Sequence, residues 1–168
     1  GFCAEAAPAA DFDSLMGKGT AHWQHVKQES DIPFLQKCKE IYEKNIALKE
    51  SAVETSRIPH TVHFIWLGPK AFPPKSVENI RTWMAKNPGW KFVFWTDSAR
   101  LAPCSGMEVR QVKDFHFTKL GDRFVQSDNW GEKSDLLRYE ILLQEGGVYV
   151  DHDANCLRPF DELHNAYD

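Results

Sequence analysis

The stretch SDLLRYEILLQEGGVYVDHD, residues 134–153, decides how this chain folds and what it does. It divides at Gly146-Gly147. On the N-terminal side, Leu136, Leu137, Ile141, Leu142 and Leu143 spread around several helix faces, which predicts a largely buried helix over 134–147. Ser134 is a credible N-cap, and Asp135 in the first turn suits the positive end of the helix dipole. The two glycines end the helix. VYVDHD, residues 148–153, then reads as a strand. Strand side chains alternate, so Asp151 and Asp153 face one way and His152 the other.

Two carboxylates on one face repel each other unless a cation lies between them. A hard divalent ion such as Mg²⁺ or Mn²⁺ is the usual remedy, because it prefers carboxylate oxygen. Asp151 and Asp153 are therefore the candidate metal ligands, against the bland alternative of a solvated strand end. Alternation turns His152 away from them, into a core or supporting role. Asp135 and Arg138 stand three residues apart on the preceding helix and share a face. The Gly-Gly corner folds that face back toward the carboxylates. One acid and one Arg beside a carboxylate pair suit a polyanion held through metal and guanidinium, since Arg makes planar, bidentate oxyanion contacts. The plainer reading of Asp135 and Arg138 is an intrahelical ion pair.

Upstream, TVHFIWLG, residues 61–68, is β-branched and aromatic and ends at Gly-Pro, a buried strand. Val77, Ile80 and Met84 follow at helical spacing, and Asn87-Pro88-Gly89 stops that helix. WKFVFW, residues 90–95, is a second strand, and EVRQV, residues 108–112, a third short one. Strand, helix, strand predicts a βαβ unit with parallel strands. His60 and His63 fall on opposite sides of the first strand, and neither is assigned to a metal. Trp66 sits at the end of that strand, where ligands of open α/β sheets bind. From position alone it reads as a core aromatic.

Residues 1–52 have another texture, polar and charge-rich. Leu35, Cys38, Ile41 and Tyr42 recur at helical spacing between Ile32 and Glu50, and two helices are expected in this segment, a packing extension to the rest. No apolar run reaches membrane-spanning length. Lys plus Arg is 20 and Asp plus Glu is 24, and the formal net charge of −4 gives no electrostatic footprint for nucleic acid. Cys3, Cys38, Cys104 and Cys156 follow no C-x-x-C spacing, which argues against a zinc ribbon or a redox pair.

Taken together, Ser134, Asp135, Arg138, Tyr139, Gly146, Gly147, Tyr149, Asp151 and Asp153 resemble the signature of the DXD-containing glycosyltransferases of family 32, S-D-x-x-R-Y, an apolar helix, then G-G-x-Y-x-D-x-D. IPHTVHFIWLG is similar to the first strand of these proteins and NPGWKFVFWTD to their second. The resemblance spans about residues 57–163. It extends distantly to the large glucosylating toxins, and the wording is nearest to bacterial members, which implies a secreted effector. It implies a GT-A-like, Rossmann-like α/β core, a UDP- or GDP-linked hexose donor, retention of anomeric configuration, and Mn²⁺ or Mg²⁺ as cofactor. By position it makes Trp66 the platform for the base. Asp135 and Arg138 would hold ribose and sugar hydroxyls near the diphosphate, with Tyr149 in the donor pocket. Asp151 would contact ribose or sugar beside the metal, and Asp153 would ligate it. Asp135, Arg138, Asp151 and Asp153 are the implied catalytic set. The acceptor, whether glycan, lipid or protein, is left open.

Two rival readings remain. DHDANCLRPFDE places Asp151, Asp153, Asn155 and Glu162 at positions of a calcium loop, but Cys156 stands where that loop has Gly. The other rival is a module that binds a sugar nucleotide without turning it over. Acceptor contacts of GT-A enzymes generally follow the DXD strand, so residues 57–168 are expected to be a truncated donor-binding part. The expected consequences are poor activity alone and association through the surface that truncation exposes.

Overall fold

The computed structural model describes residues 11–25, 29–48, 57–161 and 163–164. The chain divides into two compact units, Gly1–Ala52 and Val53–Asp168.

In the first unit, α1 (Phe12–Leu15) is a single turn capped by Asp11, whose carboxylate accepts from the Ser14 amide at 3.1 Å. The long helix α2 (Ile32–Leu48) follows two 3₁₀ turns. Leu35, Cys38 and Tyr42 are half-buried, whereas Ile41, expected on the same face, is 51% exposed. Phe12 packs its ring 5.6 Å from that of Tyr42, and Asp13 pairs with Lys18 at 3.0 Å and Lys39 at 3.2 Å. Residues 49 and 50, the expected end of α2, lie outside the described residues.

The second unit is an α/β fold on a parallel sheet, as the sequence pattern requires. Its elements are β1 (Thr61–Trp66), α3 (Pro74–Lys86), β2 (Lys91–Thr96), β3 (Glu108–Gln111), α4 (Gly121–Gln126), α5 (Trp130–Glu145) and β4 (Val148–Tyr149). The strand order is β3-β2-β1-β4, every pair parallel. Strands covered by helices on both faces must be apolar on both. Val62, Phe64, Phe92 and Phe94 pack with Ile80 of α3, while Ile65, Val93 and Trp95 pack with Leu137 and Ile141 of α5. Each such fully buried side chain contributes about 1.5–3 kcal/mol.

His63 lies on the α5 side, fully buried, its Nδ1 accepting from Trp95 Nε1 at 3.2 Å. That contact leaves its proton on Nε2, which donates to the Gly146 carbonyl at 3.1 Å. Burial holds the imidazole below its ordinary range. His60 precedes the strand and stacks on Trp90 at 4.7 Å.

Two expectations are corrected here. The helix begins at Trp130, not Ser134, because Asn129 caps it by accepting from the Gly131 and Glu132 amides at 2.8 and 3.1 Å. Ser134 is interior, its hydroxyl donating to the Trp130 carbonyl at 2.9 Å, and Glu132 rather than Asp135 occupies the first turn. Nor is the helix buried all round: Tyr139 and Leu143 are 64% and 66% exposed. The second correction is at β4, which stops at Tyr149 instead of running to Asp153. Residues 151–154 form a turn closed by the Ala154 amide on the Asp151 carbonyl at 3.1 Å.

The corner between α5 and β4 admits only glycine. Gly147 has φ +84°, and a Cβ there would lie 2.5 Å from the Thr61 carbonyl oxygen of β1. Behind the helix, Glu140 is 1% exposed and accepts from the Thr118, Lys119 and Leu120 amides at 3.1, 2.5 and 2.5 Å. Desolvation alone would raise its pKa, but these amides and the Thr118 hydroxyl outweigh it and pull the carboxyl down to about 2.

Candidate donor site at the switch of the sheet

The strand order reverses between β1 and β4, and in open α/β sheets ligands bind outside the carboxyl ends of the strands at such a point. A pocket of about 430 Å³ opens there. The end of β1 lends Trp66, α5 lends Trp130, Ser134, Asp135 and Arg138, and the end of β4 lends Tyr149, Asp151 and His152.

Arg138 is its centre. The guanidinium lies over the Tyr149 ring, 4.4 Å from the centroid, pairs with Asp135, and stands 3.6 Å from Asp151 through Nη1. Its Nε is buried with no hydrogen-bond partner. A buried, unsatisfied donor is costly and points to an acceptor that arrives with a ligand. Tyr149 hydrogen-bonds Asp151, and its pKa is pushed up to about 12, first by burial and then by the Asp151 and Asp153 carboxylates, with Arg138 opposing.

Asp151 and Asp153 are both exposed, and His152 between them is not. The alternation expected of a strand is thus produced by a turn. His152 Nδ1 meets Ser76 Oγ at 2.7 Å, and the ring packs edge-on to Trp66 at 4.8 Å. Asp151 lines the pocket itself, while Asp153 lines an adjoining polar groove beside α3, with His152 bordering both.

No cluster of three or more His, Cys, Asp or Glu side chains able to hold a metal occurs among the described residues. Two carboxylates are nonetheless the usual protein share of an Mg²⁺-type site, which takes its other ligands from substrate phosphates and water. Asp151 and Asp153, beside a pocket containing an arginine short of an acceptor, fit that group. The calcium-loop alternative fares worse. Its sixth position calls for the sharp turn that glycine makes, yet the only positive-φ residues described are glycines, and Cys156 is buried with its amide on Thr82 Oγ1 at 2.7 Å. Glu162, its twelfth position, lies outside the described residues.

Trp66 combines two roles. Its indole lines the pocket, but its Nε1 donates to the Lys70 carbonyl at 2.8 Å and its ring meets Phe72 edge-on at 5.5 Å. The sequence reading missed Trp130, whose indole lies against Gly68: a Cβ at Gly68, φ +86°, would come within 2.9 Å of it. The polar cluster Ser127-Asp128-Asn129 was the available signal, since it marks a cap just before Trp130. Also missed was the clamp on the loop after β1. Asp97 accepts from the Gly68 amide at 2.9 and 3.1 Å, and Arg100 reaches Thr96 Oγ1 at 2.7 Å, the Lys70 carbonyl at 3.1 Å and the Gly68 carbonyl.

A parallel α/β domain with a pocket at its switch point is the kind of fold that binds small ligands there. Residues 73–168, more than half of the chain, match the model of the glycosyltransferase sugar-binding region containing the DXD motif, and the chain belongs to that family. It is 32% identical over 132 residues to the subversion of eukaryotic traffic protein A of Legionella pneumophila, covering 69% of this chain and 20% of that protein. It is 28% identical over 132 residues to inositol phosphoceramide mannosyltransferase 3 of Schizosaccharomyces pombe, covering 77% and 32%. Among solved structures it is similar to the PaToxG glycosyltransferase, with 19% identity, a TM-score of 0.48, and coverage of 74% of this chain and 53% of that one. The chain therefore spans about a fifth to a third of these two curated relatives. No described helix is long and apolar enough to cross a membrane.

Proposed function

We propose that residues 57–168 are the donor-binding part of a metal-dependent, retaining glycosyltransferase that moves a hexose from a UDP- or GDP-linked donor to an acceptor, with residues 1–52 as a helical extension. The observation that carries this reading is Arg138, held between Asp135, Asp151 and the Tyr149 ring in the switch-point pocket with its Nε unpartnered. In this reading Arg138 binds donor oxygens by its planar fork. Asp135 fixes the guanidinium and accepts from a sugar or ribose hydroxyl. Trp66 and Trp130 flank the base, and Asp151 and Asp153 carry Mn²⁺ or Mg²⁺. When bound, the metal neutralises the leaving diphosphate as a Lewis acid. The mannosyltransferase relative favours a hexose, and the Legionella relative favours a place among secreted bacterial effectors.

Calorimetry with UDP and GDP, each with and without Mn²⁺, tests the reading. Binding that needs Mn²⁺ and disappears with a chelator is expected. Binding of neither nucleotide under any metal condition overturns it. Binding without release of sugar from any UDP- or GDP-hexose would instead favour the non-catalytic binding module.

A further inference from the structure

After β4 the chain crosses the face of α3, and one stripe of that helix grips it. Ser76, Asn79, Trp83 and Asn87 are three and four residues apart and so share a face. Ser76, Asn79 and Asn87 are buried, at 2%, 6% and 1% exposure. Ser76 Oγ bonds the His152 ring at 2.7 Å, and Asn79 Nδ2 donates to the His152 carbonyl at 3.2 Å. Trp83 Nε1 donates to the Ala154 carbonyl at 2.9 Å. Asn87 acts further along, accepting from the Phe160 amide at 2.7 Å.

His152 is gripped through ring and carbonyl and is half-buried, Ala154 is gripped through its carbonyl alone, and Asp151, Asp153 and Ala154 are exposed. Helix α3 therefore does what strand pairing no longer does beyond Tyr149: it dictates which side chains face out. Two like charges on an unanchored turn would separate. Here His152, held through both ring and carbonyl, denies them that freedom. An apolar stripe could pack against the sheet as well as this one, but it could not fix a polar turn.

We propose that Ser76 and Asn79 are positioning residues which, through His152, hold the Asp151–Asp153 turn in the arrangement that a metal–nucleotide complex requires. The proposal rests on the donor-binding reading above. Its test applies amide hydrogen exchange, and calorimetry with Mn²⁺ plus UDP and Mn²⁺ plus GDP, to the full 168-residue chain carrying Ser76→Ala, Asn79→Ala or Asn87→Ala. In the first two, the Ala154 amide should lose protection while the amides of α5 keep theirs, and affinity for the better nucleotide should fall about tenfold or more. Asn87→Ala should lower the Tm while leaving both readouts in place, and Ser76→Thr, which keeps the hydroxyl, should restore them. Unchanged protection at Ala154 overturns the proposal. So does lost protection with intact affinity, or an Asn87→Ala variant that reproduces both effects. If the parent chain binds neither nucleotide, the donor reading falls, and exchange alone still decides whether Ser76 and Asn79 fix the turn.

Discussion

The guanidinium of Arg138 covers the ring of Tyr149 at 4.4 Å, so one residue of α5 roofs the last residue of β4. The pair spans the pocket's helix side and strand side. Replacing Arg138 by Ala should weaken Mn²⁺-dependent nucleotide binding about 100-fold, and Lys should not restore it, because a point charge cannot reproduce the fork. Calorimetry of both variants with Mn²⁺ plus nucleotide reads the effect. A Lys variant that binds as the parent does would show that the charge alone suffices.

Asp153→Asn should abolish Mn²⁺-dependent nucleotide binding and leave the fold intact. The side chain is exposed, and no ion pair among the described residues includes it, so little stability is at stake. Circular dichroism and calorimetry on the same sample separate the two effects. Equal affinity in variant and parent at saturating metal would show that Asp153 is not a ligand.

Trp66 and Trp130 should respond differently to Ala. Trp66 is wedged against Phe72 and His152, so its loss should cost stability, about 2–4 kcal/mol, together with nucleotide affinity. Trp130 is 45% exposed, and its loss should lower affinity with a small change in Tm. Thermal melts and nucleotide titrations of the two variants, side by side, distinguish platform from core. A Trp130 variant that binds as the parent does leaves Trp66 as the base platform.

Acid should unfold the second unit in two stages. His63 is held neutral, so the stability it contributes is complete above pH 6.5 and drains away as pH falls below that value. Glu140 ionises more readily folded than unfolded, so its contribution is complete above its ordinary 4.5 and is lost as pH falls through about 2. That interval is equivalent to about 3 kcal/mol. Denaturant titrations across pH should show both stages, and Glu140→Gln should shrink the lower one, the remainder coming from Glu108, which Arg110 and Lys91 also hold at about 2. A variant with the parent's slope below pH 4.5 would reassign it.

What could be read from the sequence follows the range of the physics involved. β1, α3 and β2 announce themselves through patterns only a few residues long, as do Asp135, Arg138 and the Asp151–Asp153 pair. At the start of α5, Ser134 looks like a cap, while the true cap, Asn129, precedes a Trp-Gly that resembles a turn. V-Y-V-D continues the alternation past the end of β4 at Tyr149, whereas in the fold Ser76 and Asn79 bond His152 on the α3 side. Asp97, Arg100 and Glu140 could not be found that way. Their meaning lies in partners up to 32 residues away, at Gly68 and in residues 118–120.

The Gly146–Gly147 corner joins α5 to β4 in two residues and leaves no room for a side chain. Ser134, Asp135, Arg138, Tyr149 and Asp151 are consequently neighbours along the chain as well as around the pocket. Closing so short a loop takes little entropy, so these groups can assemble while the longer-range pairing of β1 with β2 is still being sought. The same compactness puts most of the pocket's charged groups on one short run of sequence, with Trp66 added from β1. A single inserted residue at the corner would put the helix and the strand out of step.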